Sequence, residues 1–173
     1  MRGLPRWFVP TLLGAALLVV AVPVQLAAQR EVTAESDHLL GTWRLNVAKS
    51  KYSPGPPLRS ETRIYTRDAE GVKGRIDRHY ADGRHEVIDY RADFDRELPV
   101  SGTQAYDAIR LKRVDARTTE GVLSHAGRVF GTSRRTISED GQTMTISFRR
   151  EEPGDMINNL AVYDKVMTIA PAR

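Results

Sequence analysis

Short runs of alternating apolar and polar residues recur along this chain from Thr42 onward, with Asp-Gly, Glu-Gly and Ala-Gly pairs between them. A period of two is typical of β-strands, and glycine is favoured in hairpin turns because these often need a positive φ. The pattern predicts nine strands, at residues 42–47, 60–67, 72–80, 84–94, 106–114, 118–124, 128–137, 142–149 and 159–166. Since no ten-residue helical pattern separates them, successive strands are predicted to be antiparallel neighbours.

A meander of this kind has two edge strands unless its first and last strands pair. Open edges leave rows of unpaired backbone groups, whereas closure into a barrel satisfies them. The predicted fold class is therefore all-β, an antiparallel up-and-down β-barrel of about 8–10 strands. A sandwich of two sheets is the structural alternative. The stretch SDHLL, at residues 36–40, predicts one helical turn that covers an end of the barrel.

The first 28 residues have the features of a secretory signal peptide. Arg2 and Arg6 precede an apolar stretch at residues 8–24, which two prolines interrupt and small residues follow. These features favour a cleaved signal over a membrane anchor, and no later segment has the ~18 apolar residues that a membrane span needs. We expect a secreted or periplasmic bacterial protein, divided into a signal peptide at 1–28, a lead-in at 29–40, the barrel at 41–167 and a tail at 168–173.

Composition narrows the function classes further. The chain has no cysteine, which excludes disulfides, thiol catalysis and the thiol attachment of a lipoprotein anchor. Removal of residues 1–28 takes away two arginines and no acid, so the formal net charge falls from +4 to +2. Basic and acidic residues are interleaved without a long block of one sign, and nucleic-acid binding is therefore not expected.

Gly41, Thr42 and Trp43 open the first predicted strand, and a proline-rich run follows in GTWRLNVAKSKYSPGPP. The Gly-x-Trp triplet resembles the signature of the lipocalin and fatty-acid-binding-protein superfamily, the calycins. With GTSRRTISEDGQTMTIS and NNLAVYDKV, the run resembles exported bacterial lipocalin-like proteins over roughly residues 40–166. The resemblance implies a barrel whose indole packs across the closed end, commonly against a basic side chain from a late strand.

The loop at residues 48–58 stands where fatty-acid-binding proteins have a helix pair. Its prolines fix φ and cannot donate ladder hydrogen bonds, so residues 53–57 are predicted to be a stiff connector and not part of a strand.

A barrel of about eight to ten strands can hold one small ligand in its interior. We expect an apolar or amphipathic ligand, such as a lipid or fatty acid, because an inward arginine beside hydroxyl groups can bind a carboxylate in bidentate fashion. Arg134 and Arg135 point to opposite faces, so at most one of them lies inside. The candidate ligand contacts are Arg128, Arg134, Arg149 and Tyr90.

Two alternatives stay open. The arginines can simply face solvent, as most surface arginines do. The barrel can also be a structural or protein-binding module whose interior is filled by its own aromatic side chains, namely Tyr65, Tyr90, Phe94, Phe130 and Phe148.

Histidines are the remaining candidates for chemistry. His79 and His85 flank the turn at residues 81–83, but without cysteine or a third histidine nearby no zinc site is predicted. Haem binding would need a histidine facing the cavity, for which His125 is a further candidate. No Gly-x-Ser-x-Gly, HExxH, phosphate-loop or paired-carboxylate motif is present, so no catalytic residue, metal or cofactor is predicted. An enzymatic alternative would depend on His79 or His85 in a pocket.

Overall fold

Ten antiparallel strands form one closed barrel in this protein, seen in a computed structural model that describes residues 38–68, 71–152 and 154–167. The predicted signal peptide, the lead-in up to residue 37 and the tail at 168–173 lie outside the described residues. The strands are β1 (Gly41–Leu45), β2 (Ser60–Asp68), β3 (Gly71–His79), β4 (His85–Ala92), β5 (Glu97–Ser101), β6 (Ala108–Arg113), β7 (Thr118–His125), β8 (Arg128–Ile137), β9 (Thr143–Glu152) and β10 (Asp155–Val166). A 3₁₀ turn, η1, spans Val47–Lys49.

Every strand pairs with its neighbours in sequence, and β1 closes the barrel by pairing with both β2 and β10. At the closure, Trp43 lies opposite Lys165 on one side and Arg63 on the other. The predicted up-and-down barrel is thus confirmed, and the sandwich alternative is wrong because neither sheet edge is left open.

Nine strands were expected, and the tenth is β5. It is only five residues long and contains Pro99, and proline is rare inside strands because it cannot donate a ladder hydrogen bond. The last two strands also extend further than predicted, to Glu152 in β9 and from Asp155 in β10. Because a short strand with proline still fills the gap between β4 and β6, the barrel closes without an unpaired edge.

Trp43 blocks one end of the barrel. Its side chain is fully buried, its Nε1 donates a 2.8 Å hydrogen bond to the carbonyl of Leu39, and the Lys165 ammonium lies 5.0 Å from the ring centroid. Leu39 belongs to a short helical turn at residues 38–39, which covers this end. Gly41 has a φ of 117°, a conformation that side chains strongly disfavour, which explains glycine two residues before the tryptophan.

The opposite end of the barrel is crossed by the chain between β1 and β2. Residues 53–57 form no strand, as their prolines predicted, and Ser53 anchors them to β10. The Ser53 amide donates to Asn159 Oδ1 at 3.0 Å, and its carbonyl accepts from the Asn158 amide at 2.8 Å. The chain then reaches β3, where the Arg59 amide donates to the His79 carbonyl. This segment therefore lies over the mouth of the interior.

Alternation divides most strands between the interior and the outer surface. In β3, Val72, Gly74 and Ile76 are buried, and the residues between them are more exposed. The inward side chains from all around the barrel form one core, which includes Trp43, Tyr65, Ile88, Met144 and Tyr163 among its most buried members. No helix in the described part of the chain is long and apolar enough to cross a membrane.

Candidate functional site

The interior holds a cavity of about 370 Å³ between the Trp43 end and the proline segment. Its wall is asymmetric. One side, from β6 to β9, is mostly apolar and also carries Arg135, and the other side, from β2, β3 and β10, carries charged and phenolic groups. Pro54, Pro56 and Leu58 lie at the mouth. The apolar residues of the first side are Ile109, Leu111, Leu123, Phe130, Ile146 and Phe148.

Glu61 is the centre of the polar side. Its carboxylate is completely buried and accepts from Arg63 Nε at 2.6 Å, from Arg78 Nε, and from the Tyr163 hydroxyl at 2.5 Å. The donors come from three strands, β2, β3 and β10, whose inward positions converge at this level of the barrel. Because a buried charge is tolerated only when it is paired and hydrogen-bonded, this cluster has the composition expected of a stable buried network.

The cluster also fixes protonation states. Burial would raise the pKa of Glu61, but the guanidiniums of Arg63 and Arg78, with the Tyr163 hydrogen bond, lower it from 4.5 to about 2. Burial and the negative charge of Glu61 together hold the pKa of the Tyr163 phenol well above its usual value. Near neutral pH, Glu61 is therefore ionised and Tyr163 is a neutral donor.

Arg135 lies deeper, between the cavity and the Trp43 end. Only 8% of the residue is exposed. Its Nη2 donates to Thr119 Oγ1 at 3.1 Å, and its guanidinium carbon lies 5.5 Å from the centroid of the Tyr65 ring. No carboxylate from the described part of the chain forms an ion pair with it. Arg135 is therefore a buried cation that faces the cavity without a counter-ion among the described residues.

Two phenols lie beside Arg135. The Tyr90 hydroxyl lies 3.4 Å from the Tyr65 hydroxyl and can donate a hydrogen bond to it. Burial alone would raise the pKa of both phenols. In Tyr65, the guanidiniums of Arg63 and Arg135 outweigh burial and lower the pKa. The pKa of Tyr90 stays raised. Gly74 lies opposite Tyr90 in the ladder, where an added Cβ would come within 2.7 Å of the Tyr90 ring. Glycine at this position gives the ring room to lie against the wall.

Near the mouth, Tyr52 carries a polar atom without a partner. Its hydroxyl oxygen is buried and makes no hydrogen bond with any described residue. Burial, and next the charge of Glu61, raise the pKa of Tyr52 to about 12, so the hydroxyl is an available donor. A polar atom of this kind in a cavity indicates room for a water molecule or for a polar group of a ligand.

The four residues that the sequence nominated as ligand contacts do not lie together. Tyr90 lines the cavity, and whether it contacts a ligand stays a prediction. Arg128, Arg134 and Arg149 are exposed on the outer surface, and Arg134 Nη1 is bonded to Glu120 Oε1 at 2.5 Å. These three arginines therefore face solvent, as the alternative predicted, and they do not form the expected carboxylate-binding site inside the barrel.

A β-bulge explains why the face of β8 was misassigned. Regular alternation along β8 would put Arg134 on the same face as Phe130, and Phe130 does line the cavity. The ladder between β7 and β8 shifts register there, however, so that Gly131 pairs with Leu123 and Val129 with Ser124. Phe130 is the extra residue, and alternation after it turns Arg135 inward and Arg134 outward. The sequence limited the pair to one inward arginine, and the structure identifies it as Arg135.

Sequence reasoning missed the four charged residues that line the cavity, namely Glu61, Arg63, Arg78 and Arg135. A signal was present for three of them, because Arg78 alternates with Val72, Gly74 and Ile76, and Glu61 and Arg63 share a face with Tyr65. Charged residues on an apolar face look like exceptions when the strand is considered alone. Their role becomes clear only when the pairing of β2 with β3 brings opposite charges together.

The histidines lie outside the cavity. His79 and His85 are paired residues of the β3–β4 hairpin, and their side chains stack on the outer surface beside Asp77. His125 is exposed near the turn that follows β7, 3.9 Å from Asp107. The haem-binding and enzymatic alternatives require a histidine that faces the cavity, and none of these three histidines does.

Comparison with known proteins adds no assignment to this geometry: the models of protein families match no part of the chain, and no curated protein is found as a relative.

Proposed function

We propose that this protein is an exported carrier of the lipocalin-like type, which binds a small amphipathic anion in its barrel. The acidic group of the ligand lies against Arg135, and its apolar part lies along the side formed by β6 to β9. The observation that carries the proposal is the buried guanidinium of Arg135, which faces a cavity and has no carboxylate partner among the described residues.

The charge balance of the cavity favours an anion. The charged lining residues are three arginines, Arg63, Arg78 and Arg135, and one glutamate, Glu61, which leaves two positive charges in excess. Glu61 already bonds Arg63 and Arg78. A buried cation without a counter-ion is unfavourable, and a carboxylate can offset that cost by bonding the guanidinium fork in bidentate fashion.

The shape of the cavity favours an amphipathic ligand of modest size. A volume of about 370 Å³ lies near the lower end of the range for small-molecule pockets, roughly 300–1,000 Å³. Six aliphatic and aromatic side chains cover most of one wall, which also carries Arg135, opposite the group around Glu61. The hydroxyl of Tyr52, which no described residue bonds, offers a further polar contact at the mouth. A short fatty acid, or a similar molecule with one acidic end, matches this distribution.

Binding of a fluorescent fatty acid and of its neutral methyl ester to delipidated protein tests the proposal. We expect saturable one-to-one binding of the acid and weaker binding of the ester. Arg135→Met should weaken binding of the acid by at least about tenfold, since hydrogen bonds to charged groups contribute about 1.5–3 kcal/mol. Arg134→Met is the matched control, because the adjacent arginine lies on the outer surface and should leave affinity unchanged.

Two results would contradict the carrier. One is the absence of binding by delipidated protein together with no small molecule released when the native preparation is denatured, as detected by mass spectrometry. The other is equal affinity of the Arg135 and Arg134 variants for the acid. The first result would favour the alternative of a structural or protein-interaction barrel.

A further inference from the structure

We infer that Asp77, His79 and His85 form a binding site for a first-row divalent transition metal such as Zn²⁺, on the outer surface of the β3–β4 hairpin. The site lies on the opposite face of the barrel wall from the cavity and is independent of the proposed carrier function. It also differs from the expectation from the sequence, which predicted no zinc site because no cysteine or third histidine lies near the two histidines.

The strand geometry explains why these three side chains converge. Asp77 and His79 are two residues apart on β3 and therefore project from the same face. His85 is the residue directly opposite His79 on β4, and directly opposite residues in antiparallel strands have Cβ atoms about 4.5–5.5 Å apart. Ile76 and Arg78, on the other face, line the cavity, so the face of Asp77 and His79 is the outer one. The backbone ladder thus sets the positions of all three ligands.

The donor atoms are spaced nearly as a metal requires. Asp77 Oδ1 lies 3.1 Å from His79 Nε2 and 3.0 Å from His85 Nε2, and all three donor atoms lie within 4.8 Å of one another. Ligands bonded to one zinc ion at about 2.0–2.1 Å in tetrahedral geometry are separated by about 3.3 Å. The imidazole rings stack with centroids 4.2 Å apart. Small rotations about χ2, a soft torsion in histidine, bring both Nε2 atoms toward one ion.

The chemistry of the three groups selects the class of metal. Two imidazole nitrogens and one carboxylate oxygen suit Zn²⁺, Ni²⁺ or Cu²⁺, whereas Mg²⁺ and Ca²⁺ prefer sites made of oxygen alone. The three side chains are about half exposed, so an ion can enter directly from solvent. Three protein ligands also leave a coordination position for water or for a group from a partner.

Titration calorimetry with Zn²⁺ tests the site, using the full chain produced without a polyhistidine tag and stripped with a chelator. We expect one Zn²⁺ per chain and no binding of Mg²⁺. Loss of an outer-shell partner of a metal ligand already costs about 10–100-fold in affinity, so Asp77→Ala, His79→Ala and His85→Ala should each weaken binding by at least about tenfold. His125→Ala is the control, because this exposed histidine also lies near an aspartate, Asp107, but has no second histidine beside it.

A second measurement separates coordination from a general effect on the fold. The electron paramagnetic resonance spectrum of bound Cu²⁺ should show coupling to two imidazole nitrogens, and to one after either His79→Gln or His85→Gln. Circular dichroism should be unchanged, because both histidines are exposed. The inference is overturned if the wild-type chain shows no saturable Zn²⁺ binding, if His125→Ala weakens binding as much as His79→Ala, or if neither histidine substitution alters the Cu²⁺ spectrum.

Discussion

Two groups of buried arginines lie in the same barrel under opposite electrostatic conditions. Arg63 and Arg78 share the carboxylate of Glu61, which also accepts from Tyr163. Arg135, nearer the Trp43 end, has a threonine hydroxyl and the face of a tyrosine ring. Glu61 supplies a counter-ion for Arg63 and Arg78, whereas no described residue neutralises the charge of Arg135. Under the proposed function, this difference separates residues that stabilise the barrel wall from the residue that binds a ligand.

The comparison has an energetic basis. Removal of one member of a buried ion pair leaves an uncompensated charge. A buried charge that already lacks a partner is itself unfavourable, so its replacement by an apolar group of similar size should cost little. Substitutions in the Glu61 group should therefore lower the free energy of unfolding, and substitutions at Arg135 should act on ligand affinity instead. Each prediction below tests one side of this division.

The largest effect is expected for Glu61→Gln. The substitution keeps the size of the side chain but leaves two buried guanidiniums without a counter-charge, so the free energy of unfolding should fall by about 3–5 kcal/mol. Urea denaturation followed by tryptophan fluorescence measures the change. Glu120→Gln is the control, because Glu120 pairs with Arg134 on the outer surface and such exposed pairs contribute about 0–1 kcal/mol. Equal losses in the two variants would remove the distinction.

The pH dependence of stability should report the same carboxylate. The pKa of Glu61 is about 2 in the folded protein, against an ordinary 4.5, so the unfolded chain takes up the proton first as pH falls. The stabilisation is fully present above about pH 5 and is lost toward pH 2, a loss of about 3 kcal/mol from this one group. The stability difference between wild type and Glu61→Gln should therefore shrink as pH falls. A difference that stays constant from pH 6 to pH 2.5 would contradict the assignment.

Two tyrosines of the polar wall offer a finer test. Tyr163 donates a 2.5 Å hydrogen bond to Glu61, and hydrogen bonds to charged groups contribute about 1.5–3 kcal/mol, so Tyr163→Phe should lower stability by that amount. The Tyr52 hydroxyl has no partner among the described residues, and Tyr52→Phe should change stability by less than about 1 kcal/mol. Parallel urea titrations give both values, and a larger loss in Tyr52→Phe would reverse the order.

The sequence predicted the fold better than it predicted the residues of the candidate site. Period-two alternation and glycine-containing turns predicted an antiparallel meander, since strand direction and inward faces follow from local patterns. The short β5 was missed because Pro99 weakens its strand pattern. Arg134 was predicted to face the interior because the sequence pattern does not show the bulge at Phe130, which shifts the alternation. Glu61 and Arg135 could not be assigned roles from sequence, since their environments depend on strands far apart in the chain. Tertiary pairing decides which buried charge has a partner.

The neighbours Arg134 and Arg135 provide the smallest effect on stability and the most direct test of the division. Arg135→Met removes a buried cation that has no carboxylate partner among the described residues, so the free energy of unfolding should fall by less than about 1 kcal/mol or should rise. Arg134→Met removes one exposed ion pair and should also change it by less than about 1 kcal/mol. The two variants should thus be similar in stability but different in affinity for the fluorescent fatty acid. If Arg135→Met instead loses about 3 kcal/mol or more, as expected for a paired charge, Arg135 belongs with the wall.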